Sequence, residues 1–248
     1  MNILVNKKYI LNHKIGNGSF GIIMSGYHII TKNKIAIKIE ENSKNSLLKH
    51  ETKMYNYLRG LKGIPKIRQF GIEGKFNYMV IDVLGESIDT FNVDLHSLKI
   101  IGIELIDIIK NIHSKGIIHR DIKPENILEY KNKIYFIDFG LSVPYMIKNI
   151  HIQNSKNNKI IGTLNFCSKY IHEGDKPSRR DDIYSILYTL IYLYQGLPWI
   201  NENNIEMVLS MKREFSYGIF YKLYQYVDSL LFADTPNYLY IQKLIKHL

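Results

Sequence analysis

Apolar residues recur along this chain with two different periods, and the change from one to the other marks out its organisation. Near the N-terminus, residues 9–15 and 22–27 are strand-like, and a third stretch, which alternates, carries Ala36, Ile37 and Lys38. Side chains two apart share one face of a strand, so these predict strands. The period then lengthens. Leu47, Leu48, Glu51, Met54, Tyr55 and Leu58 fall three and four apart, which predicts a helix ending at Gly60 with a carboxylate among its apolar neighbours. Leu98, Ile101, Leu105, Ile108, Ile109 and Ile112 predict a second amphipathic helix closing near Gly116. Asn126, Ile127 and Leu128, a polar turn at 130–133 and the run 134–137 then read as a hairpin. Residues 183–194 are nearly all apolar or tyrosine, but these twelve fall short of the roughly twenty that span a bilayer. A helix buried at the centre of a helical region, ended by Gly196 and Pro198, is predicted instead.

The polar residues that interrupt these elements are not scattered. His119, Arg120 and Asp121 are followed by Asn126 and then by Asp138, Phe139 and Gly140. Phosphoryl transfer asks a protein mainly for positioning: a carboxylate to receive a hydroxyl proton, and oxygen ligands for Mg²⁺. Asp121 suits the first task, and Asn126 with Asp138 the second. Lys123, two residues beyond Asp121, can neutralise charge on the moving phosphoryl group. Upstream, Gly16, Asn17, Gly18, Ser19, Phe20 and Gly21 form a glycine-rich run between two predicted strands. A dinucleotide fingerprint would open a helix there, so a hairpin lid over phosphates fits better. Lys38 follows at the position of a phosphate-holding lysine, and Glu51 is the carboxylate that keeps it oriented.

Taken together, these residues resemble the catalytic domain of the casein kinase I family over nearly the whole chain. The closest stretches are Lys14 to Gly21; His50 to Tyr55 with Gly63-Ile64-Pro65 and Val80 to Gly85; Ser178 to Asp182; and Leu197-Pro198-Trp199. The resemblance implies an α+β, two-lobed protein-kinase fold, with a small, mainly antiparallel β N-lobe (1–82) and a larger, mainly helical C-lobe (83–248). It implies ATP and Mg²⁺ as cofactors and transfer to serine or threonine hydroxyls of protein substrates. It also places Ile15, Ile23, Ala36 and Leu128 around the nucleotide, Ile81 at the gatekeeper position, and Asp82 to Leu84 in the hinge that meets adenine. Thr163 matches the residue bridging the catalytic aspartate and lysine, and Asp182 the aspartate that holds the catalytic loop.

Departures from the family bear on substrate choice. Ser168-Lys169-Tyr170 replaces the Ala-Pro-Glu triplet of other kinases, so no glutamate anchors this loop in the usual way. Asn165 stands where the family has an arginine of a basic pocket thought to read a phosphate already on the substrate, which predicts a weaker preference for primed sites. Residues 201–225 are shorter than the family's equivalent and lack its lysine-rich stretch. Residues 141–160 are polar and predict a mobile activation segment, with Ser142, Ser155 and Thr163 its hydroxyl candidates. The resemblance predicts activity without phosphorylation there. The runner-up reading is a catalytically weak pseudokinase working as a scaffold, which loss of a catalytic residue would favour; none is lost.

Composition narrows the rest. At 248 residues and 46% hydrophobic content the chain supports one two-lobed domain. The single cysteine, Cys167, excludes an intramolecular disulfide and suits a reducing, cytoplasmic setting, with a buried thiol expected. No signal peptide or membrane partner is indicated, and a monomer is expected. A net charge of +10 invites a nucleic-acid reading, but no aromatic platform accompanies it. The local excess at Lys148, Lys156, Lys159, Lys169, Lys176, Arg179 and Arg180 is read as a basic face for acidic protein substrates.

Overall fold

A computed structural model of the protein describes residues 3–18, 21–156 and 159–248. They divide into two compact units. The first comprises the described residues of Met1–Gly60 with Ile64–Gly85 and Ile137–Gly140; the second comprises Leu61–Gly63, Glu86–Phe136 and the described residues of Leu141–Leu248.

The first unit is a six-stranded antiparallel sheet with one helix. Its strands are β1 (Ile3–Val5), β2 (Tyr9–Gly18), β3 (Gly21–His28), β4 (Lys34–Glu41), β5 (Ile67–Glu73) and β6 (Phe76–Asp82), in the order β1-β2-β3-β4-β6-β5. Alternation decides which face each side chain meets. Ile35, Ile37, Tyr78 and Val80 join Val5, Tyr9 and Leu11 in one apolar cluster. Lys38 and Ala36 consequently lie on the opposite face, paired in register with Met79 and Ile81. Helix α1 (Leu48–Tyr57) packs on β5 and β6 through Leu48, Thr52 and Tyr55, with the Thr52 hydroxyl 3.3 Å from the Met79 sulfur. The glycine-rich run is more strand-like than expected: Gly16, Asn17 and Gly18 continue β2, pairing with Ile23, Ile22 and Gly21. The expectations for Ser19 and Phe20 lie outside the described residues.

The second unit is helical. Helix α2 (Leu95–Ser114) packs on α4 (Arg179–Gln195) and α7 (Tyr238–Lys246), while α5 (Ile205–Glu214) packs on α3 (Lys169–His172) and α6 (Tyr221–Asp228) on α4. Asp94 caps α2 by accepting the Ser97 amide at 2.7 Å, and the helix buries Leu98, Leu105, Ile106, Ile108, Ile109 and Ile112. Gly102 lets it approach its neighbours, because a Cβ there would lie 3.0 Å from Ile245 and 3.2 Å from Leu190. As predicted, α4 is central, with every residue from Arg179 to Ile191 buried. It starts earlier than its apolar run because Ser178 and Asp181 form a capping box.

Short pairs of strands complete this unit: β7 (Ile117–Ile118) with β10 (Val143–Pro144), β8 (Ile127–Glu129) with β9 (Ile134–Phe136), and β11 (Met146–Ile147) with β12 (Ile150–His151). The stretch read as an irregular activation segment therefore contains three two-residue strands, which are too short for sequence periodicity to reveal. The basic face also needs correction. Arg179 and Arg180 are buried at 9% and 6% exposure; Arg180 pairs with Asp175, and Arg179 donates to Ala233 and Tyr145. Lys156 and Lys169 are bound to Asp175 and Asp228. Charge counting along the chain cannot see these partners, which arrive from 19 and 59 residues away.

Candidate functional site

In the first unit, β4 and α1 bring together Lys38 and Glu51, whose Nζ and Oε2 lie 2.8 Å apart. Glu51 is 2% exposed, as the apolar face of α1 predicts. The Asp138 carboxylate lies 3.3 Å from the same ammonium. Burial opposes the Lys38 charge, but Glu51 and Asp138 outweigh it and raise the Lys38 pKa. Burial also pushes the Glu51 carboxyl up, against the pull of Lys38. The register row Gly16, Ile23, Lys38, Met79 runs across four strands, so the stem of the glycine-rich hairpin lies beside the lysine. Ala36 sits opposite Ile81. Ile15 is 48% exposed, and Asp82 is paired with Arg68 at the end of β6.

Asp138 is held in place by two features that its sequence does not announce. Its amide donates to the Tyr55 hydroxyl at 3.1 Å, and Phe139 packs edge-on against the Tyr55 ring at 4.9 Å. Asp138 also adopts φ 61°, a left-handed conformation that costs a non-glycine residue on the order of 1 kcal/mol.

In the second unit, Asp121 lies at the centre of a compact polar group. Its Oδ1 accepts the Thr163 hydroxyl at 2.7 Å, and its Oδ2 accepts the Asn126 amide at 3.0 Å. Lys123 donates to Thr163 at 2.9 Å and lies 3.2 Å from Asp121 Oδ2. Both carboxylate oxygens are thus oriented by neighbours. Asn126 spends its amide nitrogen on the Asp121 carbonyl and carboxylate, which leaves its side-chain oxygen available to a cation. That oxygen and the Asp138 carboxylate are hard donors of the kind Mg²⁺ takes alongside phosphate oxygens and water. Among the described residues no group of three or more His, Cys, Asp or Glu could hold a metal by itself. Leu128, the nucleotide-contacting residue expected in this unit, lies in β8 and bridges to Ser87; Leu84, in the first unit, is half-buried.

Behind this group stands Asp182, near the start of α4, 2% exposed. Its two oxygens accept the backbone amides of His119 at 2.7 Å and Arg120 at 2.9 Å. His113 Nε2 donates to it at 3.0 Å, and Tyr238 reaches the other ring nitrogen of His113 at 2.8 Å. Burial works against the Asp182 charge, yet these donors hold its pKa below the usual range. Burial keeps His113 neutral, pushing its pKa down. Sequence reasoning does not single out His113, because it lies in the last turn of a helix whose periodicity speaks only of packing.

The loop 163–168 is fastened at both ends. Ser168 caps α3 and donates to the Asp181 carboxylate. Cys167 is buried as expected, and burial raises its thiol to about 11. Asn165 donates to the Ile200 carbonyl at 2.8 Å and accepts the Trp199 indole at 2.9 Å through its own carbonyl. Ser142 is fully buried and donates to His119, which leaves Ser155 as the exposed hydroxyl of the segment.

A curled antiparallel sheet carrying the Lys38–Glu51 pair, and a helical unit carrying the Asp121 group, together define a phosphotransferase of the protein kinase class. The family model of the protein kinase domain matches residues 9–238, and the chain belongs to that family. Membership implies ATP and protein substrates. No helix among the described residues is long and apolar enough to cross a membrane.

Proposed function

We propose that this protein is an active serine/threonine protein kinase of casein kinase I type, transferring the γ-phosphate of Mg-ATP to hydroxyls of acidic protein substrates. The observation that carries this reading is the Thr163 hydroxyl, which joins Asp121 and Lys123 into one hydrogen-bonded unit.

Asp121 accepts the proton of the incoming serine or threonine hydroxyl, and Lys123 offsets charge on the transferring group. Lys38, oriented by Glu51, holds the α- and β-phosphates. Gly16, Asn17, Gly18 and Gly21 supply the hairpin over them, while Ile15, Ile23, Ala36, Ile81, Asp82, Leu84 and Leu128 surround the nucleoside. Asn126 and Asp138 would hold Mg²⁺, which when bound neutralises phosphate charge and orients the γ-phosphoryl group. Ser142 is buried and Thr163 is bonded to Asp121, which leaves Ser155 as the segment's exposed hydroxyl; activity without prior phosphorylation belongs to this reading. The +10 net charge supports acidic substrates, although Arg179 and Arg180 do not contribute to that face.

Incubating purified protein with radiolabelled Mg-ATP and casein, followed by phosphoamino-acid analysis, tests the reading. Phosphoserine or phosphothreonine is expected. ATP binding without transfer would move the assignment to a scaffolding pseudokinase.

A further inference from the structure

Lys212 is a lysine in a core position. Helix α5 buries Val208 and Lys212 one turn apart, and Lys212 is 1% exposed. Among the described residues no carboxylate pairs with it. Instead its ammonium donates to the carbonyls of Leu164 at 2.8 Å and Cys167 at 2.7 Å, and lies 3.1 Å from His172 Nε2. An ammonium has three N–H donors, and here each has an acceptor. The rings of Tyr188 and Trp199 flank it at 5.0 and 5.7 Å. Burial pushes its pKa down to about 8.

An apolar side chain would fill this place at a lower desolvation cost, so what the ammonium gains lies in what it binds. Both carbonyls belong to the turn that begins at Thr163, whose own carbonyl accepts the Phe166 and Cys167 amides at 3.0 and 2.9 Å. Thr163 in turn orients Asp121. This is the loop that lacks the anchoring glutamate of other kinases.

We propose that Lys212 is the anchor of the substrate-facing loop, a positioning residue that holds residues 163–167 in place through their carbonyls. The proposal rests on the kinase reading for the meaning of that loop, but the contact itself does not. Beside the Ser168 contact to Asp181 at the loop's far end, a buried cation from α5 fastens residues 163–167 here by gripping the backbone.

The test compares wild type with Lys212→Met and Lys212→Gln by amide hydrogen exchange and by steady-state kinetics. Losing charge-assisted hydrogen bonds predicts exchange at 163–167 about tenfold faster in Lys212→Met, with α4 protection retained. KM for casein rises about tenfold while KM for ATP stays within about twofold, because Lys38 and its partners belong to the other unit. Lys212→Gln, which keeps one amide donor, falls between. Unchanged exchange at 163–167 overturns the proposal, as does protection lost evenly across the helical unit, a parallel rise of both KM values, or failure of both variants to fold. If wild type transfers no phosphate, the exchange measurement still decides the anchor, and only the kinase reading falls.

Discussion

Asp182 holds the backbone of Arg120, accepting its amide at 2.9 Å while Arg120 sits at φ 74°. A non-glycine residue in that region costs on the order of 1 kcal/mol, so the strained turn beside Asp121 depends on a buried carboxylate from α4. Replacing it with Asp182→Asn weakens three charge-assisted contacts, to the His119 and Arg120 amides and to His113, and a stability loss of about 3 kcal/mol is expected by chemical denaturation. Gly162 guards the same turn from the other side, since at φ 99° any Cβ would collide with the Arg120 carbonyl oxygen. Gly162→Ala should therefore lower transfer activity while the far-ultraviolet circular dichroism stays native.

Glu51→Gln removes the charge that opposes Lys38 at 2.8 Å but keeps its shape. Lys38 then has only Asp138 as a close carboxylate, and a loss of orientation worth about 10²-fold in kcat is expected. Unchanged kcat in steady-state assays would remove Glu51 from the phosphate clamp.

Thr163 can be tested by separating its hydroxyl from its methyl group. Thr163→Ser retains the bridge between Asp121 and Lys123 and should stay within a few-fold of wild type. Thr163→Val loses a hydrogen bond to a charged group, worth about 10- to 100-fold in kcat. Equal rates for the two variants would show that the bridge is dispensable.

His172 supplies a pH dependence of stability. Burial, with help from the Lys212 ammonium, lowers its pKa from 6.5 to about 4. Between those values the unfolded chain binds a proton that the folded chain refuses, so this contribution is present above pH 6.5 and is lost as pH falls toward 4. Asp181, raised to about 6 by burial, acts with the opposite sign but is common to wild type and variant. Thermal melts from pH 7 to pH 5 should fall more steeply for wild type than for His172→Gln. Parallel curves would contradict the assignment.

Much of this arrangement is legible in the amino-acid sequence. Glu51 stands among apolar neighbours on a helix face, which can only point it inward, and its motif names Lys38 as the partner. Motif spacing brings Asp121, Lys123 and Asn126 together because they lie on one short loop. What stays hidden in the sequence depends on long-range neighbours. Arg179 and Arg180 look like surface charge until Ala233 and Leu230 close around them. His113 and Lys212 sit at helical core positions where a polar residue reads as an exception, and their partners, Asp182 and the 164–167 carbonyls, lie tens of residues away. Gly16 to Gly18 read as loop because glycine is poor in strands; pairing with β3 overrides that preference.

The most direct test is the single-turnover rate of phosphate transfer from Mg-ATP to casein by Asp121→Asn, beside wild type. Loss of the proton acceptor, with Asn126 and Thr163 still able to bond the amide, predicts a rate lower by about 10³-fold, with ATP affinity and melting temperature near wild type. A rate within a few-fold of wild type would contradict the assignment of Asp121 as the catalytic base, and with it the account of how this protein transfers phosphate.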